Sequence, residues 1–246
     1  MMSSNVSLVE TVKKQYAFKM KAYIDAFSSL VGIQFIAFLF SLGGGSSSMG
    51  TSDGYHFELK FYSADLVIIF TFIWIFVTAI TITTKPYRNQ DFTFVTNRMS
   101  SSLSNILFLL SASLLGAFTA VLSRFLIQTV AYFLLKEDLY IASVMTSEMM
   151  IGITVSLLYV FWISSIGYFV GTLVQIHKGF ALLIPVIVIG SLFYDGFMQR
   201  YAMLLILFQF YFLESSMVLF AIKTLITTAV LFFASIAILN RMEVRR

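Results

Sequence analysis

"YSADLVIIFTFIWIFVTAITIT", residues 62–83, holds one charged residue, Asp65, near its start, and neither proline nor glycine. A helix needs about 20 mostly apolar residues to cross the hydrocarbon core of a bilayer. This stretch is long enough and has no charged face to offer water, so it predicts a helix solvated by lipid. Working outward with the same criterion gives six spans, roughly 22–42, 62–83, 103–134, 149–175, 180–198 and 217–240. The fifth is the weakest, being short and carrying Pro185. Between the last two spans lies "YAMLLILFQFYFLESS", residues 201–216, bounded by Arg200 and Glu214. It is too short to cross comfortably and reads as a re-entrant or interfacial hairpin. The expected fold is all-α, a single polytopic transmembrane domain over residues 1–246.

Composition agrees. Hydrophobic residues make up 59% of the chain and charged residues 11%, against about 25% charged in a soluble domain. The absence of cysteine excludes disulfides and thiolate metal sites. His56 and His177 are far apart in sequence, so no histidine metal or haem site is expected. The polar, basic first twenty residues do not read as a signal peptide, so the first apolar segment is expected to remain as a span.

Basic residues set the expected orientation. With the N-terminus inside, Lys13, Lys14, Lys19, Lys21, Lys85, Arg88, Arg98, Lys178, Arg241, Arg245 and Arg246 are cytoplasmic. Only Lys60, Lys136 and Arg200 lie outside, and Arg124 and Lys223 fall within spans. The positive-inside rule then places both termini in the cytoplasm.

Residues 43–52, "GGGSSSMGTS", mimic a nucleotide-binding motif. Gly45-x-x-x-x-Gly50-Thr51-Ser52 has the phosphate-loop spacing with Thr51 where the lysine belongs. The segment follows the first span onto the outer face, lacks the lysine that holds the phosphates, and is expected to be a flexible surface loop. No other stretch matches the full pattern, so no ATPase is expected in this chain.

Residues 7–27 read as an amphipathic helix, with 7–21 lying at the inner membrane interface before the first span. Ser7-x-x-Glu10 fits a capping box, and Leu8, Val12, Tyr16, Met20 and Ile24 recur every fourth residue. Lys13, Lys14 and Lys21 lie off that line. A frayed, solvated arm is the other reading. In the longest internal cytoplasmic loop, "TKPYRNQDFTFVTNRMSSSLSN", residues 84–105, Pro86 breaks the preceding helix. Ser100, Ser101, Ser102 and Ser104 suit a turn into the third span. Phe92, Phe94 and Val95 stand among Arg88, Asp91 and Arg98, as in a docking surface for a cytoplasmic partner; the alternative is that the aromatics dip into the bilayer.

With these features the chain resembles the ABC-2 type permease subunits, six-span partners of separate ATP-binding-cassette ATPases. The resemblance covers nearly the whole chain, and "FTFVTNRMSSSLSN" is similar to the Phe-x-Phe-plus-basic pattern of small Gram-positive members. It implies that the loop holding Phe92, Phe94, Val95 and Arg98 docks on a pair of ATPase subunits, which would carry the ATP and Mg2+. It also implies a second permease, the same chain or a relative, in the plasma membrane of a bacterium. The implied function is outward movement of a hydrophobic or amphipathic substrate, with an antimicrobial or cytolytic peptide as first choice. No catalytic residue, cofactor, metal or nucleic-acid partner is expected in this chain. A non-transporting membrane scaffold or regulator of a partner complex is the alternative. An intramembrane enzyme ranks third, since no His/Asp/Glu cluster or Ser–His pair converges within the spans.

Some features stay open. Arg124, at the far end of the third span, either snorkels to the outer boundary or pairs with an acid such as Glu214 across a gate. Lys223 and Asp65 read as snorkelling near the outer boundary. No chain of carboxylates crosses the bilayer, so proton coupling has no support. Gly167-x-x-x-Gly171 permits close helix approach, either inside the subunit or against a second permease. Phe208, Phe210 and Phe212, with Gln209 and Tyr211, read as an aromatic interfacial belt or a surface for an amphipathic substrate.

Overall fold

The computed structural model describes residues 8–43, 46–52, 55–87, 98–134, 146–198, 203–214 and 216–241. In chain order the elements are α1 (Leu8–Ala22), α2 (Ile24–Leu42), β1 (Ser46–Ser52), β2 (Tyr55–Phe61) and α3 (Asp65–Thr83). They continue with α4 (Arg98–Leu134), α5 (Thr146–Ile176), α6 (Phe180–Met198), α7 (Met203–Phe212) and α8 (Met217–Arg241). Five of these, α2, α3, α4, α5 and α8, are long and apolar enough to cross a membrane. That is the architecture of a polytopic helical membrane protein, as the apolar runs require. α6 is helical, but its apolar stretch, Phe180–Ser191, is shorter than the other five, and Pro185 lies inside it.

α3 is the central helix. Val67, Thr71, Trp74, Ile75, Thr78, Ala79, Ile82 and Thr83 are buried, a stripe at helical spacing, while Ile69, Ile73 and Val77 face outward. Trp74 Nε1 donates to the Ala26 carbonyl and to Ser29 Oγ, each at 3.0 Å. Gln34 Nε2 donates to Thr71 Oγ1 at 3.0 Å and to the Gly116 carbonyl at 3.2 Å, joining α2, α3 and α4. Interhelical bonds of this kind contribute about 0.6–2 kcal/mol each in a membrane. The main core joins Leu30, Trp74, Ile75, Phe108, Leu109, Val160, Tyr168 and Phe232; a smaller one joins Ala37, Val67, Ala120 and Ile127.

Gly167 and Gly171 face α3 within the same chain. A Cβ at Gly167 would stand 2.6 Å from the Phe76 carbonyl oxygen and 3.2 Å from Phe76 Cα. A Cβ at Gly171 would overlap Thr83 Oγ1 and stand 3.2 Å from Ile80 Cα. The pair therefore serves close approach of α5 to α3, the small-residue device of membrane helices.

Three local expectations are corrected. The segment read as a flexible outer loop is a strand: β1 pairs antiparallel with β2, from Ser46 opposite Phe61 to Ser52 opposite Tyr55. The overlooked signal was Asp53-Gly54, the strongest short hairpin dipeptide, ahead of alternating Tyr55, Phe57, Leu59 and Phe61. The serines read as a turn belong to α4, which begins at Arg98; Ser100, Ser102 and Ser104 are buried there. Ser104 Oγ bonds back to the Ser101 carbonyl at 2.8 Å, which satisfies the hydroxyl inside the helix.

The third correction concerns the segment read as one helix over 7–27. It is two, separated at Tyr23, whose φ of −103° and ψ of 33° leave the helical region. The buried residues of α1 are Val12, Gln15 and Lys19, whereas Leu8 and Ile24 are exposed. The face packed on α4 keeps Val12 and the half-buried Tyr16 and Met20 of the apolar period and is shifted to include Gln15 and Lys19, because polar partners wait on α4 for Tyr16 and Lys19.

Candidate functional site

The polar bonds between elements concentrate at the end of the bundle where α3, α5 and α8 finish and α4 begins. Arg98, in the first turn of α4, donates from Nη1 to the Leu239 carbonyl near the end of α8 at 2.8 Å. A guanidinium at a helix C-terminus satisfies a carbonyl left without an intrahelical partner and meets the negative end of the helix dipole. Gln175 Nε2 donates to the carbonyl of Thr83, the last residue of α3. The segment between α3 and α4 thus leaves from a residue bonded to α5 and returns at a residue bonded to α8.

α1 joins the same end. Lys19 is fully buried, and its ammonium donates to Asn105 Oδ1 at 2.5 Å and to the Ser101 carbonyl at 3.3 Å. Asn105 Nδ2 donates to the Tyr168 hydroxyl at 3.4 Å, linking α1, α4 and α5. Tyr16 and Ser111 share a hydroxyl–hydroxyl bond of 2.7 Å, a further contact of α1 on α4. Glu10 and Lys14 form an exposed i,i+4 pair at 2.8 Å; the bond to Lys14 and its charge hold the Glu10 carboxyl below its ordinary range.

The opposite end carries aromatic rings. Tyr159 donates its hydroxyl to the Tyr211 carbonyl at 2.7 Å and stacks on Phe212 at 4.9 Å. Phe220 lies 4.6 Å from Tyr159, and Trp162 stacks on Tyr211 at 4.3 Å. Glu214 pairs with Lys223, whose ammonium also sits 4.1 Å over the Phe210 ring. The rings fix the junction of α7 and α8 on α5.

Of the residues singled out in the sequence, Phe92, Phe94 and Val95 lie outside the described residues, and Arg98 lies at the clasped end. Arg124 is half-buried and forms no ion pair with Glu214; Lys223 pairs with Glu214. Phe210, Tyr211 and Phe212 take part in the aromatic cluster. Sequence reading missed Lys19, Asn105, Gln175 and Tyr168. Asn105 was open to discovery as an amide just inside a span, where a polar group demands a partner. Lys19 was counted only as a cytoplasmic charge.

Compared with protein families, curated proteins and solved structures, the chain matches none. What the fold defines is the class, a multi-pass helical membrane protein.

Proposed function

We propose that the chain is the membrane-spanning permease subunit of an ATP-driven exporter, its energy supplied by a separate ATPase pair. The observation that carries this reading is the clasped loop. Thr83 and Arg98, which flank the inner segment, are bonded to α5 and α8 respectively. A pull on that segment would be delivered directly to two further helices, as a coupling loop requires. α1 reaches the same end through Lys19.

In this reading the clasped end faces the cytoplasm, as do both termini, in keeping with the distribution of basic residues. α6 is the fifth of six spans, and α7 with its junction to α8 is the outer hairpin. Phe92, Phe94 and Val95 enter an apolar groove of the ATPase and supply most of the contact energy. Arg98 anchors the loop from the permease side. A second permease, the same chain or a relative, completes the pathway in a bacterial plasma membrane. The substrate is hydrophobic or amphipathic, and a membrane-active peptide fits best.

The test is co-purification of the ATPase with the wild type and a Phe92→Ala/Phe94→Ala variant, together with substrate-stimulated hydrolysis. We expect the variant to insert at normal abundance and lose the ATPase. Normal coupling in that variant would move the reading to a non-transporting scaffold.

A further inference from the structure

We propose that α1 is a releasable strap, hinged at Tyr23 and seated on α4 by a contact that Lys19 holds and Gln15 weakens. The inference rests on the geometry of this chain alone and does not require the transporter reading.

The hinge is a single residue. Tyr23 leaves the helical region between Ala22 and Ile24, so α1 and α2 are separate rods joined at one residue. Its side chain is fixed: the ring is buried edge-on against Tyr87 at 4.8 Å and Phe108 at 5.5 Å. The joint can therefore bend on its N-terminal side while the ring stays anchored.

The seat is unusual in its chemistry. Of the three buried residues of α1, only Val12 is apolar. Lys19 has two oxygen partners on α4. Gln15 is 2% exposed, yet neither its Nε2 nor its Oε1 meets a hydrogen-bonding partner. A buried amide left unsatisfied loses the hydration it would regain on release, which shifts a docking equilibrium by on the order of tenfold or more. Lifting α1 would uncover Val12 and the half-buried Tyr16 and Met20, and would return one amide and one ammonium to water. The outer face is already amphipathic, with Lys13, Lys14 and Lys21 beside exposed Val9 and Phe18. Release therefore exposes little that water or a membrane interface would reject.

Backbone hydrogen exchange of the full-length protein in lipid nanodiscs tests this. In the wild type, the amides of residues 8–22 should exchange faster than those of α2, through an opening that leaves α2 to α5 closed. Gln15→Leu removes the unsatisfied amide and should slow α1 exchange by on the order of tenfold, leaving the rest unchanged. Gln15→Met serves if the leucine variant does not accumulate. Asn105→Ala removes an acceptor of Lys19 and should speed α1 exchange by a similar factor. Three results would overturn the strap: unchanged or faster α1 exchange in the Gln15 variants, wild-type α1 exchanging only in step with α2, or an Asn105→Ala effect spread equally through α3, α4 and α5.

Discussion

The guanidinium of Arg98 donates to the carbonyl of Leu239 at 2.8 Å, across 141 positions of sequence. One side chain thereby closes the first turn of α4 onto the last turns of α8. Hydrogen bonds to charged groups contribute about 1.5–3 kcal/mol when partly buried, as here. Arg98→Ala should lower stability by about 1–2 kcal/mol and loosen the end of α8. A melting temperature in detergent checks the first, and hydrogen exchange of residues 236–241 the second. Arg98→Lys, with no planar fork, should recover only part of the loss.

Gly171 and Thr83 form a lock whose two halves can be tested together. Gly171→Ala pushes a methyl group into Thr83 Oγ1 and should destabilise by about 1–3 kcal/mol. Thr83→Ala removes the two nearest obstructing atoms, so the double variant should be more stable than the sum of the single effects implies. Thermal unfolding of all four proteins gives the coupling. Strict additivity would mean that the helices part rather than press. Gly167→Leu meets backbone at Phe76, which cannot move aside as a side chain can, and should prevent accumulation of folded protein.

Glu214 and Lys223 are both mostly buried side chains at the α7–α8 junction, 19% and 25% exposed. Glu214→Gln strands the ammonium against the Phe210 ring and should cost about 1–3 kcal/mol. Lys223→Met alone removes the cation beside the carboxylate instead. Combining the two removes both charges and should restore most of the stability. A double-mutant cycle of melting temperatures decides it.

The Glu10–Lys14 pair gives a pH prediction. Glu10 has its carboxyl pKa held below the ordinary 4.5 by the bond to Lys14 and by its charge. Its contribution to α1 is therefore fully present above about 4.5 and is lost as pH falls through the lowered folded value. In Lys14→Met the Glu10 midpoint should move up toward the ordinary value. Carbon-detected titration of the Glu10 carboxyl measures both.

The spans were legible because lipid leaves a helix no freedom: every backbone group must be bonded internally and every outward side chain must be apolar. Residues 62–83 became Asp65–Thr83 almost unchanged. The helix ends were less legible. Ser100, Ser102 and Ser104 look like turn residues singly, and only the neighbours that bury them make them helical. The clasps were invisible for a similar reason. Gln175 and Thr83, or Lys19 and Asn105, carry no local pattern; what pairs them is helix packing at large sequence separation. Gly167-x-x-x-Gly171 announced a close approach, but its partner α3 was known only once the bundle was assembled.

α4 runs from Arg98 to Leu134 as one helix of 37 residues. At 1.5 Å per residue that is about 55 Å, well beyond the roughly 30 Å of hydrocarbon it crosses. It has no proline to bend it, so it acts as a stiff lever arm. A tilt of about 5° about one end displaces the other by about 5 Å, as much as a full turn of helix. A tilt beside Arg98 would thereby be magnified into a larger displacement at Leu134.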